Sequence, residues 1–181
     1  MNLVDLLCRV SDAFERNKID FILLGGMGVS VWSEPRLTKD CDIVVRVRKS
    51  SQSTLKAALV DAGARVTALE MRLLFGRPFM RLQINGTKLD VHRCLSPHDR
   101  AAFENSVGVQ FEGRTVRVAS AEDLVLYKLQ AWRPQDRLDI TKLLADVKGV
   151  KRAYIESWLD PIRSATNHPM WDRWTDAIRG S

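Results

Sequence analysis

The stretch Phe21-Ile-Leu-Leu24 followed by Gly25-Gly26 constrains the fold of this chain most. A short apolar run reads as a buried strand, and two residues without Cβ halt it in a tight turn. Residues 27–32 then read as a short helix, giving strand, glycine turn, helix. Upstream, Leu3, Leu6, Leu7, Val10 and Phe14 recur at spacings of three and four, the stripe of an amphipathic helix that packs on a sheet. Downstream, Asp42-Ile-Val-Val-Arg-Val47 is rich in β-branched residues and reads as a second strand, and residues 54–62 as a helix closed by Gly63. This order predicts an α/β (α+β) fold with a mixed central β-sheet flanked by helices.

Residues 73–75, 79–84 and 88–93 read as three further short strands, the last two joined by Asn85-Gly86, whose residues tolerate the positive φ of a tight hairpin. Residues 107–111 and 115–118 alternate around Glu112-Gly113 and suggest another hairpin. Ser120-Ala-Glu-Asp123 has the S-x-x-D form of a capping box, so a helix begins at Ala121 and runs to Trp132, before Pro134 interrupts it. A second helix covers 135–147. From Lys151 onward helical stretches alternate with Pro161 and Pro169, and Trp158, Trp171 and Trp174 read as core packing in preference to a surface for stacking bases or docking a partner. The expected organisation is one domain over residues 1–148, with C-terminal helices over 149–181 packed on it.

At 45% hydrophobic and 28% charged, the 181 residues have the balance of a soluble globular chain, which argues against disorder and fibrous architecture. The 28 Lys and Arg against 22 Asp and Glu leave a charge of +6, which suits an anionic partner, but the basic residues are scattered and a solvated cationic surface explains them equally well. Cys8, Cys41 and Cys94 form no CxxC pattern, which argues against a disulfide framework and a structural zinc site and for a reducing cytoplasm. Asp5 falls inside what would be the apolar segment of a signal peptide, and residues 21–32 are too few and too rich in glycine to span a bilayer, so neither export nor membrane anchoring is expected.

Asp40 and Asp42 stand two apart at the start of a predicted strand, so their side chains share a face with Cα atoms about 7 Å apart. Asp90 lies on another predicted strand; if the two strands pair, three carboxylates converge on one edge. Hard oxygen donors of this kind suit Mg²⁺, and two such ions roughly 3.5–4 Å apart would activate an attacking hydroxyl and neutralise a leaving pyrophosphate. The repulsion among clustered carboxylates is itself a reason to expect a cation. At Gly25-Gly26 the missing Cβ atoms let backbone N–H groups approach phosphate oxygens at the start of the following helix, and Arg36 and Lys39 add positive charge nearby. Each feature taken singly has a plainer reading. Asp40 and Asp42 are then solvated residues at the start of a strand, Asp90 the partner of Lys88 or Arg93, the glycines a tight turn, Lys128 a solvated helix residue, and His92 a hydrogen-bonded structural histidine.

In combination these motifs resemble the DNA polymerase β nucleotidyltransferase superfamily, whose pattern is hG[GS] followed by [DE]h[DE]h. Gly25-Gly26-Met-Gly-Val-Ser-Val-Trp32 and then Asp40-Cys-Asp-Ile-Val-Val45 match it in order, and Arg36-Leu-Thr-Lys-Asp-Cys-Asp42 is similar to the R-x-T-x-D-x-D form of minimal and abortive-infection (AbiEii-like) members. Leu89-Asp-Val91 resembles the third-carboxylate strand, and residues 120–128 and 133–140 resemble the helical segment of the same relatives. The resemblance implies a nucleotidyltransferase fold and transfer of a nucleoside monophosphate from an NTP to an acceptor hydroxyl on an RNA or tRNA end, a protein or a small molecule. It implies that Asp40 and Asp42 bind two Mg²⁺ ions, that Asp90 helps deprotonate the acceptor, that Lys128 contacts the triphosphate, and that Asp136 or Asp139 orients this lysine. A toxin–antitoxin or phage-defence role, with a cognate partner, follows from the resemblance alone. Gly26 stands where many members carry serine. The alternative is a catalytically silent module of the same fold that binds a nucleotide or nucleic acid.

Overall fold

The computed structural model describes residues 1–77, 79–165 and 168–179. They form two compact units, one of residues 1–27 and 37–119, the other of residues 28–36 and 120 onward, so that the segment 120–148 clusters with the C-terminal helices.

The first unit holds all six strands found among the described residues: β1 (Asp20–Leu23), β2 (Asp40–Arg46), β3 (Phe79–Ile84), β4 (Thr87–Arg93), β5 (Val107–Phe111) and β6 (Arg114–Val118). Their spatial order is β3-β4-β2-β1-β6-β5. Strand β2 pairs parallel with β4 and antiparallel with β1, and β3 pairs antiparallel with β4. The sheet is therefore mixed, as expected. Cys41, Ile43 and Val45 of β2, Leu89 and Val91 of β4, and Met80, Leu82 and Ile84 of β3 all point to one buried face. Each fully buried aliphatic side chain there contributes about 1.5–3 kcal/mol before chain entropy opposes it. Helix α1 (Leu3–Arg16), capped by Asn2 and Asp5, covers this face: Phe14 meets Phe21, the cross-strand partner of Val45, edge-on at 5.4 Å between ring centroids. Helix α2 (Gly25–Trp32) follows β1 directly, and α3 (Gln52–Asp61) packs beside α1.

Two segments differ from their sequence reading. Residues 73–75, expected as a strand, lie within helix α4 (Ala68–Gly76), which begins at a capping box made by Thr67 and Glu70. The short apolar run Leu73-Leu-Phe75 has no period of its own, and the cap decides. Helix α5 (Pro97–Asn105) was not anticipated, although Ser96 caps it reciprocally with Asp99 and Pro97 holds the first helical position.

The second unit packs α6 (Ala121–Ala131), α7 (Pro134–Asp146), α8 (Arg152–Ala165) and α9 (Met170–Arg179). Trp132 ends α6 in the left-handed conformation, φ 53°, and Pro134 opens α7 two residues later. Trp174 is fully buried with its indole N–H donating to Glu156, so of the three C-terminal tryptophans this one is core. Trp158 lies against Tyr154 and Trp171 under the Arg163 guanidinium. Among the described residues no helix is long and apolar enough to cross a membrane.

Candidate active site

The face of β2, β4 and β3 opposite the first carries mostly polar side chains, arranged in three rungs. Register pairs Asp40 with Lys88 and Lys88 with Gln83; then Asp42 with Asp90 and Asp90 with Arg81; then Val44 with His92 and His92 with Phe79. Paired residues point to the same side of a sheet, so Asp40, Asp42 and Asp90 share one face on adjacent strands. The Asp90 side chain is only 5% exposed. Arg81 completes the middle rung: its Nε and Nη2 donate to the two Asp90 oxygens at 2.7 and 2.5 Å, and Nη2 also reaches Asp40 Oδ2 at 3.2 Å. The Asp90 hydrogen bonds and charge, with smaller contributions from Asp40 and Asp42, raise the affinity of this guanidinium for its proton. Between the aspartates, Cys41 faces the core, where burial foremost and the charges of Asp42 and Asp90 after it push its thiol far above the ordinary value.

Gly25 fixes the other side of Asp42. Its φ is +60°, and a Cβ built on it would overlap the Asp42 carboxylate, so only glycine lets the chain turn into α2 against this side chain. The Leu24 amide donates to the Asp42 carbonyl at 2.8 Å, tying the turn to β2.

The second unit contains a separate ionic cluster. The Lys128 ammonium donates to Asp136 at 3.0 Å and lies 2.7 Å from Asp139, its side chain 7% exposed and both carboxylates buried. Both aspartates therefore contact the lysine. Arg36 binds Asp139 bidentately at 2.6 and 2.7 Å, and Arg133 holds Asp136. Burial pushes both carboxyl groups up, but hydrogen bonds from Arg133 and Lys128 to Asp136, and from Arg36 and Lys128 to Asp139, outweigh it and leave both below the usual carboxylate range. Lys142, one turn beyond Asp139, lies instead 3.8 Å from Glu34. Lys39 is exposed just ahead of β2.

A family model for the nucleotidyl transferase AbiEii toxin of the type IV toxin–antitoxin system matches residues 5–153. The chain belongs to the AbiEii family. It is thus a nucleotidyltransferase by family, and solved structures share its fold. The lincosamide antibiotic adenylyltransferase LnuA, lincomycin-bound, superposes with a TM-score of 0.54 at 21% identity over 78% of this chain and 96% of that one. ANT(2″)-Ia in complex with adenylyl-2″-tobramycin does so at 0.54 and 16% over 97% of each chain. An antigenic nucleotidyltransferase-like protein from Paracoccidioides brasiliensis gives 0.54 and 16% over 97% of this chain and 92% of that one. A search of curated proteins finds no match.

For this AbiEii-family chain the donor chemistry of the first cluster fits a hard divalent cation, with three carboxylates on one face in adjacent register. Among the described residues, however, no three acidic, histidine or cysteine side chains are drawn close enough to hold an ion as they stand. A guanidinium lies between Asp40 and Asp90 instead. Sequence reasoning offered Lys88 or Arg93 as the partner of Asp90 and missed Arg81. The signal was present: in a hairpin turning at Asn85-Gly86, residues equally far from the turn face one another, and 81 and 90 are each four or five positions from it on opposite strands.

Proposed function

We propose that this AbiEii-family chain transfers a nucleoside monophosphate from an NTP to an acceptor hydroxyl in a Mg²⁺-dependent reaction. Asp40 and Asp42 would hold the cation, two ions when fully loaded, with Asp90 completing the ligand set. The observation that carries this reading is the register that sets Asp42 opposite Asp90 with Asp40 on the same face. Mg²⁺ bound at these oxygens supplies charge neutralisation for the departing pyrophosphate and acidifies the attacking hydroxyl. Asp90 takes the hydroxyl proton as the new bond to the α-phosphorus forms and the bond to pyrophosphate breaks. Gly25 seats Asp42, and the amides of Gly25 and Gly26 at the start of α2 offer donors to phosphate oxygens. Lys128 is assigned to the triphosphate on the family pattern alone. Arg36, committed to Asp139, acts through that carboxylate.

The neighbouring rung of Phe79 and His92 favours an acceptor that carries rings, an RNA or tRNA end. Phe79 is 38% exposed, its ring 4.9 Å from that of His92, an aromatic surface on which a base can stack. A toxin role, with a cognate antitoxin, is part of the same proposal and is supported by the family description. Arg81 on Asp40 and Asp90 is the one observation that favours a second reading, a silent module binding nucleotide or nucleic acid.

Incubation with each labelled NTP, Mg²⁺ and pools of RNA or protein decides between them. Label should pass to an acceptor with the native chain and not with Asp42→Asn. Transfer that survives the substitution removes the assignment, and no transfer from any NTP favours the silent module.

A further inference from the structure

The middle rung poses an electrostatic problem that the fold solves with a side chain of its own. Asp42 and Asp90 are like charges directly opposite one another, an arrangement that destabilises a sheet, and Asp40 adds a third charge one rung away. Arg81 sits on the next strand in line with them, and its fork takes both Asp90 oxygens and one of Asp40. Exposure is asymmetric: Asp90 is set deep at 5%, Asp40 is 29% exposed, and the covering Arg81 side chain is 48% exposed. A guanidinium on an exposed stem of an edge strand has room to leave, whereas the carboxylate beneath it does not.

On the reading of the site given above, we propose that Arg81 is its resident counter-cation: the guanidinium holds the Asp40 and Asp90 oxygens that a divalent cation would use, so arginine and metal ion bind there in competition. Three carboxylates carry three negative charges, and Arg81 offsets one of them. A divalent ion offsets two, but Mg²⁺ sheds its water reluctantly and binds best when substrate phosphates complete its shell. The exchange therefore runs forward when ion and NTP arrive together, and the guanidinium covers Asp90 at other times. Arg81 acts through Asp90 and Asp40 and is a positioning residue.

The test compares Mn²⁺ binding, followed by electron paramagnetic resonance, in the native chain, Arg81→Gln, Arg81→Lys and Asp42→Asn, alongside melting in EDTA and in Mn²⁺. Loss of one partly exposed positive charge at contact distance should tighten Mn²⁺ binding about tenfold in Arg81→Gln. Lysine keeps the charge but loses the fork, so Arg81→Lys should gain about threefold. Arg81→Gln should also melt lower than the native chain in EDTA and recover more on adding Mn²⁺. Equal or weaker Mn²⁺ binding in Arg81→Gln overturns the proposal, because the guanidinium then aligns the carboxylates for the ion. If Arg81→Gln does not fold, the lysine variant decides, and absence of a gain overturns it equally. Asp42→Asn separates the two levels. Mn²⁺ binding that this variant abolishes, with no gain in either Arg81 variant, sinks only the competition; no Mn²⁺ binding in any chain sinks the metal assignment with it.

Discussion

Replacing Gly25 by alanine should cost more than its small size suggests, and the excess should appear at Asp42. Two contributions can be separated. Forcing an L-residue to φ +60° costs about 1–2 kcal/mol. The new methyl also overlaps the Asp42 carboxyl group, which must turn off its rotamer at a further cost of about 0.5–1.5 kcal/mol. The sum is about 1.5–3.5 kcal/mol, and in a chain of this size each kcal/mol lowers the melting temperature by about 2–4 °C, so a fall of about 3–14 °C is expected. Gly86→Ala is the matched control: its φ is +79°, but nothing lies within 4 Å of the added methyl, so it bears the backbone cost alone. Circular dichroism melts of both variants, with Mn²⁺ titrations, measure the difference. Gly25→Ala should be the less stable of the two and should bind Mn²⁺ more weakly than the native chain, whereas Gly86→Ala should bind it normally. Equal stabilities and equal Mn²⁺ affinities would refute the claim that Gly25 is required by the position of Asp42.

Lys128→Met removes the ammonium from two buried carboxylates, a change that typically costs 3–5 kcal/mol; because Arg36 and Arg133 still reach Asp139 and Asp136, about 3 kcal/mol is expected, read as a urea midpoint shift. Both carboxyl groups have a folded-state pKa below their unfolded value, so they stabilise the fold above the ordinary carboxylate range, and that contribution is lost as pH falls below about 4 through the depressed folded values. Melting temperature against pH should therefore drop less steeply on acidification in Asp139→Asn, which starts from a lower plateau, than in the native chain.

How much of this was legible depended on whether the informative residues lie near one another along the chain. Helix α1 and the Asn85-Gly86 hairpin announce themselves by period and turn chemistry, and both appear where expected. The misread segment 73–75 is too short to carry a period, while the Thr67 and Glu70 cap that settles it lies outside the run. The alignment of Asp42 with Asp90 had to be supposed, because a parallel pair joined by a long crossover has no local signal for its register. Arg81 was overlooked for a different reason: the charges nearest Asp90 in sequence, Lys88 and Arg93, lie on its own strand, whereas the residue that comes closest on a sheet face stands directly opposite on the adjacent strand, nine positions away along the chain. The Lys128 cluster was assembled from resemblance, and the structure adds that both candidate aspartates engage it at once.

The alternation that buries Leu89 and Val91 also decides where Asp90 looks. Sliding β4 by a single residue would sink an acid into oil and set two aliphatic groups against the charged side chains of the other face, so misalignment is penalised by the hydrophobic interior as well as by the bonds the acid would lose. Fidelity of the acidic array is thus a by-product of folding: any molecule that has packed its interior has already aimed its carboxylates.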